Sequence, residues 1–281
     1  MTSNRDRQQR AAARARLERE MTLRAESAQR RRRLQAMIGA GLAVVVVLVG
    51  VVLLVTLTGS DKKTNNTAAS ASSSPTSCKW NSAVDPSAPT QALPAGVKDV
   101  GTPPASGEPR SGTQTMTINT NLGVVKIEMD LAKAPCTAAS FAHLASKHFL
   151  DNSSCHRLVA GISALQCGDP GGQGTGGPTY RFANENLPTD RRPAYPKGSV
   201  AMANSGPDTN GSQFFFLFND VDSQRLSPDY SLWGKVVEGM DIIEKVAAGG
   251  DDGAYEPQPG GGRPKTEFKF LSVTVGAPNK G

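Results

Sequence analysis

The run MANSGPDTNGSQFF, residues 202–215, decides the fold of this 281-residue chain. It connects an apolar segment, residues 199–203, to an aromatic segment, residues 213–218, through a stretch rich in Gly, Pro, Asp and Asn. These residue types favour turns. Short apolar segments separated by turn residues are typical of an all-β sandwich or barrel, so the run predicts two strands joined by a polar loop.

The same alternation continues on both sides of this run. Two segments have helical periodicity instead: residues 137–148, with Thr137 as the expected N-cap, and residues 240–247. About eight strands and two helices predict a mainly β domain over residues 113–281, a closed barrel whose open ends the helices cover. The remaining strands are predicted at residues 115–120, 124–129, 156–159, 165–167, 232–236 and 268–275.

The net charge of +6 comes from one end of the chain. Residues 1–36 hold 11 arginines and 4 acidic residues, so the rest of the chain carries a net charge of −1. Such a basic tail is either a membrane-topology signal or a binding site for anionic lipid or nucleic acid. We favour the topology signal and expect no nucleic-acid partner, because the basicity belongs to the tail alone.

Residues 37–58 form an uncharged, mostly apolar run of 22 residues. About 20 such residues allow a helix to span a bilayer. A cleaved signal peptide is the alternative, but its apolar region is roughly 7 to 15 residues long and ends in small residues, unlike residues 57–60 here. Positive residues stay inside, so we predict a transmembrane helix in the cell membrane with a cytoplasmic tail, residues 1–36, and an extracytoplasmic C-terminal domain.

Residues 59–112 are rich in Ser, Thr, Ala, Asn and Pro and predict a disordered, mostly extended linker. Cys78 and Trp80 are exceptions, which could dock on the domain through a disulfide. All four cysteines lie on the outer side of the predicted span, where an oxidising compartment lets them pair in three ways. No C-x-x-C pair is present, which disfavours a zinc site. The other cysteines are Cys136, Cys155 and Cys167.

Two glycine-rich stretches resemble nucleotide-binding motifs but lack their context. Residues 172–177, GQGTGG, match G-x-G-x-x-G, but Pro178 follows and no helix is predicted there. Residues 206–212 have the spacing of a phosphate-binding loop without its lysine. No serine lies in a G-x-S-x-G motif, which disfavours acyl transfer. The polar candidates that remain are Arg157, Gln166, Asn204 and Gln213.

Around these candidates the sequence resembles the cyclophilin family over about residues 113–278. The run at residues 202–215 is close to the family signature. Four more segments match in order: HR at 156–157, QCGD at 166–169, GTGG at 174–177 and GKVVEGM at 234–240. The resemblance implies an eight-stranded closed antiparallel barrel capped by two helices, peptidyl-prolyl cis-trans isomerase activity and no cofactor. With the predicted span, it implies a membrane-anchored bacterial B-type cyclophilin.

The resemblance also implies the site. Arg157, Gln166 and Phe215 are the expected catalytic residues, with Phe215 as the floor of a pocket for the proline ring. Strand alternation sends Phe214, Phe216 and Phe218 to the opposite face, so we expect them in the core. The expected substrate contacts are Ile162, Ala164, Ala203, the Asn204 backbone, Gln213, Leu226 and Tyr230.

The chemistry of the prolyl amide explains the role of an arginine. Rotation about the bond preceding proline has a barrier of roughly 18 to 20 kcal/mol, because resonance delocalises the nitrogen lone pair. In the twisted state the nitrogen becomes pyramidal and accepts a hydrogen bond that the planar amide cannot. A fixed donor there stabilises the transition state more than the ground state. Arg157, always charged and with several donors, is predicted to supply it.

Three features depart from the family pattern. Arg225 stands where well-known members carry a tryptophan that contacts cyclosporin. The segment between Arg157 and Gln166 is one residue longer than in common members, and residues 163–164 replace an aromatic–Met pair. The pocket wall is then either shallower or completed by Ile162. Cysteines are unusual at positions 136 and 155, and we predict a Cys136–Cys155 disulfide between the first helix and the strand of Arg157.

Two functions are compatible with these residues. The favoured one is an isomerase that accelerates the folding of exported proteins at the outer face of the membrane, acting on proline-containing polypeptides. The alternative is a cyclophilin-like module that binds proline peptides with little turnover.

Overall fold

The computed structural model describes residues 77–84, 93, 95–257 and 259–279. The predicted basic tail, residues 1–36, and transmembrane helix, residues 37–58, lie outside these ranges. Among the described residues, no helix combines the length and the apolar character that a membrane span requires.

The strands are numbered along the chain. All eight strands predicted from the sequence are present, each within two residues of its predicted ends. The four additional strands are two residues long. The bounds are β1 (Asn81–Ser82), β2 (Val97–Lys98), β3 (Thr113–Thr120), β4 (Gly123–Asp130), β5 (Arg157–Val159), β6 (Ala164–Cys167), β7 (Gly177–Pro178), β8 (Tyr180–Arg181), β9 (Ser199–Met202), β10 (Phe214–Leu217), β11 (Leu232–Glu238) and β12 (Phe270–Val275).

Eight of these strands form one antiparallel sheet in the order β12-β3-β4-β11-β9-β10-β6-β5. The sheet curls into a barrel that stays open, because its edge strands β5 and β12 do not pair with each other. The prediction of a closed barrel is therefore wrong. In the described residues, one isolated bridge, Ser154–Lys269, spans the gap. β5 has only three residues, and its outer edge is taken by Gly262, which exchanges two backbone hydrogen bonds with Leu158, 2.7 and 3.1 Å long.

Two helices accompany the sheet, α1 (Pro135–Ser146) and α2 (Met240–Ala248). α1 begins two residues before the predicted start, because proline suits the first helical position, where no N–H partner is needed. Its N-cap is Ala134, so Thr137 is not the cap. The carboxylate of Glu185 instead accepts hydrogen bonds from the amides of Cys136, 3.0 Å, and Thr137, 2.8 Å. A carboxylate at this end also complements the helix dipole.

The core lies between the inner face of the sheet and α1. Phe141 of α1 is fully buried and stacks on Trp233 of β11, with ring centroids 4.4 Å apart. Phe214 and Phe216 face this core, whereas Phe215 joins a second apolar cluster on the other face of β10. The predicted alternation along this strand is confirmed.

Part of the predicted linker belongs to the folded domain. β1 pairs with β8, and β2 pairs with β7. The Trp80 ring lies edge-on to Tyr180 and Phe182, with centroids 5.3 and 5.5 Å away. The expectation of a disordered linker over residues 59–112 is therefore wrong at residues 77–84 and 95–100, because a tryptophan and two short strands give this polar stretch partners on the barrel.

The four cysteines form two disulfides, Cys78–Cys136 and Cys155–Cys167. The expected docking of Cys78 is confirmed, and the predicted Cys136–Cys155 bridge is wrong. Cys155 precedes β5 and Cys167 ends β6, so this pair lies across neighbouring strands. Cys136 lies in the first turn of α1, where the N-terminal segment reaches it.

Candidate functional site

The residues predicted to form the proline pocket lie together. Phe215, Ala164 and Leu226 are buried in the second apolar cluster, and Ile162 and Tyr230 pack against it half-exposed. The Tyr230 ring lies edge-on to Phe215, with centroids 5.5 Å apart. The arrangement gives an apolar floor with an aromatic side wall, which suits a proline ring.

The pocket is supported by a residue that the sequence did not indicate. Tyr195 is fully buried in the same cluster. Its hydroxyl donates to the Ser227 carbonyl, 2.7 Å, and accepts from the Tyr230 amide, 3.2 Å. Tyr195 therefore holds the segment that carries Leu226 and Tyr230. Tyr195 lies in the stretch PAYP, residues 193–196, which matches no motif, so no sequence signal pointed to this role.

Arg157, Gln166 and Gln213 form a hydrogen-bonded series, here called the polar row. Arg157 of β5 lies opposite Gln166 of β6 in the strand register. The Arg157 Nη1 donates to Gln166 Oε1, 3.4 Å, and Gln166 Nε2 donates to Gln213 Oε1, 2.9 Å. Gln213 Nε2 in turn donates to the carbonyls of Gly174 and Gly176, 3.0 Å each. The three predicted polar residues thus orient one another.

Two backbone carbonyls hold Arg157 from the side away from Gln166. They belong to the loop that follows α2, described at residues 251–257 and 259–263 and here called the C-terminal loop. The Arg157 Nε donates to the Gly260 carbonyl, 2.9 Å, and Nη2 donates to the Pro259 carbonyl, 2.6 Å. Within the described residues, these two bonds and the bond to Gln166 use three of the five guanidinium N–H donors, which leaves two for a substrate. Backbone carbonyls have no sequence signature, so this contact was not predicted.

The C-terminal loop is held in its own conformation by carboxylates. Asp252 Oδ1 accepts from the amides of Ala254, 3.0 Å, and Arg263, 2.8 Å, which together hold the pKa of Asp252 below its usual value. Glu256 Oε1 accepts from the Gly261 amide, 2.6 Å. Gly261 has φ +74° and approaches the Leu158 carbonyl so closely that a Cβ would collide with it. A glycine is therefore needed where this loop meets β5.

Asp169 organises the glycine-rich loop, residues 171–177. Its carboxylate accepts from the amides of Gly171, 2.7 Å, Gln173, 2.9 Å, Gly174, 2.6 Å, and Thr175, 3.1 Å. Burial alone raises the pKa of Asp169, but these amides outweigh it and hold the pKa below its usual value. The carboxylate thus occupies the N–H groups that a phosphate would need, which agrees with the rejection of the nucleotide motif.

His156 is buried beside Arg157, and in the described part of the chain neither ring nitrogen has a hydrogen-bond partner. Burial lowers the pKa of His156 to about 4. The Asp169 carboxylate opposes this shift, and the charges of Arg157 and Arg263 add to it. His156 is therefore neutral near pH 7, and Arg157 is the cation of this site.

Ala203 and Asn204 lie between the proline pocket and the polar row. The Ala203 amide donates to the Gln213 carbonyl, 2.9 Å. The Asn204 side chain donates to the Asp229 carbonyl, 3.0 Å, and accepts from the Gly206 amide, 3.2 Å. The Asn204 side-chain amide is therefore engaged within its own loop, and the contact between its backbone and a substrate stays a prediction.

The extra residue between β5 and β6 is accommodated in a 3-10 turn, Ala160–Ile162, followed by Ser163 with φ 50°. This turn places Ile162 against the second apolar cluster, so the structure favours a pocket wall completed by Ile162. Arg225 is exposed and donates to the Gly161 carbonyl, which joins the turn to the segment that carries Leu226.

One group of described residues has the spacing of a metal site: Cys78, Glu108 and Cys136. Its two cysteines are bonded to each other, and Glu108 forms an ion pair with Arg110. The group therefore offers no free thiolate and serves to anchor the N-terminal segment.

Comparison with known proteins agrees with this geometry. The family described as cyclophilin type peptidyl-prolyl cis-trans isomerase/CLD matches residues 115–275. A probable peptidyl-prolyl cis-trans isomerase B of Mycobacterium leprae (strain TN) is 42% identical over 171 residues, 54% of this chain and 57% of that protein. A protein of the same name from Mycobacterium tuberculosis (strain CDC 1551 / Oshkosh) is 38% identical over 193 residues, 64% of this chain and 60% of that protein. The chain thus spans less than two thirds of these relatives.

A solved structure gives the same fold. The cyclophilin type peptidyl-prolyl cis-trans isomerase of Cryptosporidium parvum superimposes with a TM-score of 0.51 and 25% identity, covering 59% of this chain and 99% of that one. It was also solved in the presence of the dipeptide Ala-Pro. Because the family match covers more than half of the chain, the chain belongs to the cyclophilin-type peptidyl-prolyl cis-trans isomerase family.

Proposed function

We propose that the protein is a peptidyl-prolyl cis-trans isomerase that acts on proline-containing polypeptides. The observation that carries this proposal is a guanidinium held on both sides, by Gln166 and by the Pro259 and Gly260 carbonyls, next to an apolar pocket floored by Phe215. Family membership supports it.

The proposed mechanism is non-covalent. The proline ring enters the pocket of Phe215, Leu226 and Tyr230, which removes the ring from water and fixes the prolyl nitrogen in place. The two unused N–H donors of Arg157 are then available to that nitrogen. They bind it strongly only when the amide is twisted and its lone pair is localised, so the transition state gains more than the ground state. No proton is transferred and no cofactor takes part.

The test compares isomerisation of a proline tetrapeptide by the wild type and by Arg157→Ala. Loss of one fixed transition-state donor costs about 100- to 1000-fold in kcat at well-studied sites, and we expect a loss of kcat/KM in this range. Arg191→Ala, an exposed arginine outside the site, is the matched control and should retain the wild-type rate. Equal rates for wild type and Arg157→Ala would overturn the mechanism.

The alternative is a module that binds proline peptides with little turnover. The observation that favours it is the altered pocket wall, in which residues 163–164 replace an aromatic–Met pair next to a 3-10 turn that holds one extra residue. Peptide binding by the wild type, without isomerisation above the uncatalysed rate, would establish the module in place of the enzyme.

We further propose that the domain acts outside the cytoplasm on exported proteins, held at the membrane by residues 37–58. The apolar run, the arginines before it and two disulfides support this location, because disulfides persist in oxidising compartments. Protease added to intact cells should digest the domain. Digestion that requires cell lysis would place it in the cytoplasm.

A further inference from the structure

A second cavity adjoins the polar row on the side away from Arg157. Its volume is about 410 Å³, within the range of pockets that bind ligands. Gln166, Gln213 and Asn204 face both this cavity and the site already described. A polypeptide whose proline lies on Phe215 can therefore continue into this cavity.

The outer wall of the cavity does not come from the barrel. It is formed by Ala83, Val84 and Val97, here called the N-terminal wall. The rest of the lining comes mainly from the loop at 174–178 and from residues 203–213. The wall is thus contributed by the part of the chain that its composition predicts to be a linker.

Backbone pairing fixes the N-terminal wall against the barrel. The Ala83 amide donates to the Thr179 carbonyl, 2.8 Å, and the Gly177 amide donates to the Gly96 carbonyl, 3.2 Å. Because Gln213 donates to the carbonyl of Gly176, next to Gly177, the wall and the polar row share one hydrogen-bonded loop.

Covalent and aromatic contacts hold the same segment. Cys78 is 2% exposed and bonded to Cys136 of α1. Trp80 packs edge-on against Tyr180 and Phe182, and its Nε1 donates to the Pro104 carbonyl, 3.2 Å. An extended tether needs none of these contacts, whereas a wall that must resist an incoming side chain does.

We propose that the N-terminal wall is part of the substrate site and selects the side chains next to the proline. This inference rests on the proposed function, since it concerns the same bound polypeptide. The wall residues are apolar and line one side of a cavity whose other side is mostly polar, so the wall favours a peptide whose side chain beside proline is long enough to reach it and ends in apolar atoms. The Cys78–Cys136 bond keeps the wall in place, so substrate preference depends on this disulfide.

The test measures the ratio of kcat/KM for a peptide with Leu beside proline to that for a peptide with Ala, with the variable residue placed before or after proline. Val84→Trp fills the cavity from the wall, and we expect this Leu/Ala ratio to fall at least tenfold for one of the two placements. Val237→Trp is the matched control: Val237 is 52% exposed on β11, outside both pockets, and its substitution should leave the ratio unchanged.

A second variant removes the wall instead of filling the cavity. The double change Cys78→Ser and Cys136→Ser frees the segment, and we expect the Leu/Ala ratio to move toward one. Dissociation constants of the same peptides are measured in parallel, so the wall is tested even if the wild type binds without turnover. Binding without turnover would overturn the proposed isomerase activity, and the proposal about the N-terminal wall would then be judged from the dissociation constants alone. If both variants keep the wild-type Leu/Ala ratio, in kcat/KM and in the dissociation constants, the proposal that the N-terminal wall selects substrates is wrong.

Discussion

His156 should make the stability of the protein depend on pH between the ordinary pKa of histidine, 6.5, and the lowered pKa of about 4 that it has in the fold. The residue is buried next to Arg157, and its pKa is lowered from 6.5 to about 4, chiefly by burial. The unfolded chain therefore binds a proton on His156 at a higher pH than the folded protein does. The stabilisation is fully present above pH 6.5 and is lost progressively as the pH falls from 6.5 toward 4.

The size of this effect follows from the two pKa values. Between pH 7.5 and pH 5 the unfolded histidine becomes almost fully protonated while the folded one stays mostly neutral. Linkage then predicts that this residue alone lowers the free energy of unfolding by about 2 kcal/mol over that interval. A further loss of about 1 kcal/mol is expected by pH 4, where carboxylates also begin to titrate.

Urea unfolding followed by the fluorescence of Trp80 and Trp233 measures this free energy at each pH. His156→Gln removes the titrating group and keeps a polar side chain of similar size. We expect the wild type to lose about 2 kcal/mol more than this variant between pH 7.5 and pH 5. The other two histidines are common to both proteins and cancel in the comparison. Parallel curves for the two proteins would refute the reasoning.

Three further predictions concern contacts between residues that lie far apart in the sequence. Gly261→Ala pushes the C-terminal loop off β5 and should lower kcat about tenfold with little change in KM, because a tenfold loss corresponds to about 1.4 kcal/mol of transition-state stabilisation. Gly253→Ala is the control, because Gly253 also has a positive φ in this loop but has open space around it, so its substitution causes backbone strain without a collision. Equal losses of kcat in the two variants would contradict the explanation. Cys78→Ser breaks the disulfide to Cys136, which joins residues 58 positions apart. The loop-entropy rule predicts that the free energy of unfolding in urea falls by about 4 kcal/mol. An unchanged urea midpoint would show that the disulfide does not stabilise the fold. Glu185→Ala removes the carboxylate that caps α1 and should lower the free energy of unfolding by about 1 to 2 kcal/mol, read from the same urea curves. Glu244→Ala removes only a half-exposed ion pair with Lys197 and should cost far less.

β3 and β4 could be predicted because they alternate buried with partly exposed residues over most of their length. β10 is buried throughout, but the placement of Phe215 on one face and of Phe214 and Phe216 on the other still follows from the geometry of a strand. Arg157, Gln166 and Gln213 could be identified because they lie in motifs that resemble a family. Their mutual hydrogen bonds confirm that they form one group.

The parts that were missed depend on contacts between residues far apart in the sequence. Four cysteines allow three pairings, and nothing local distinguishes Cys136–Cys155 from the pairs that form. The sequence marks Cys78 and Trp80 as exceptions in the linker, but its Ser- and Thr-rich composition hides strands β1 and β2, because their partners β8 and β7 lie far along the chain. The carbonyls of Pro259 and Gly260 belong to the backbone, and any residue type supplies a carbonyl.

The pairing of Gly262 with Leu158 protects an edge strand of the barrel from pairing with another polypeptide. An open barrel has two edge strands, and an unpaired edge is a template on which an extended chain can add itself as a further strand. Gly262 occupies that edge of β5 beside Arg157, at the place where an unfolded polypeptide is expected to approach. Under the proposed function, the protein can thereby hold and release an extended chain without forming a shared sheet with it.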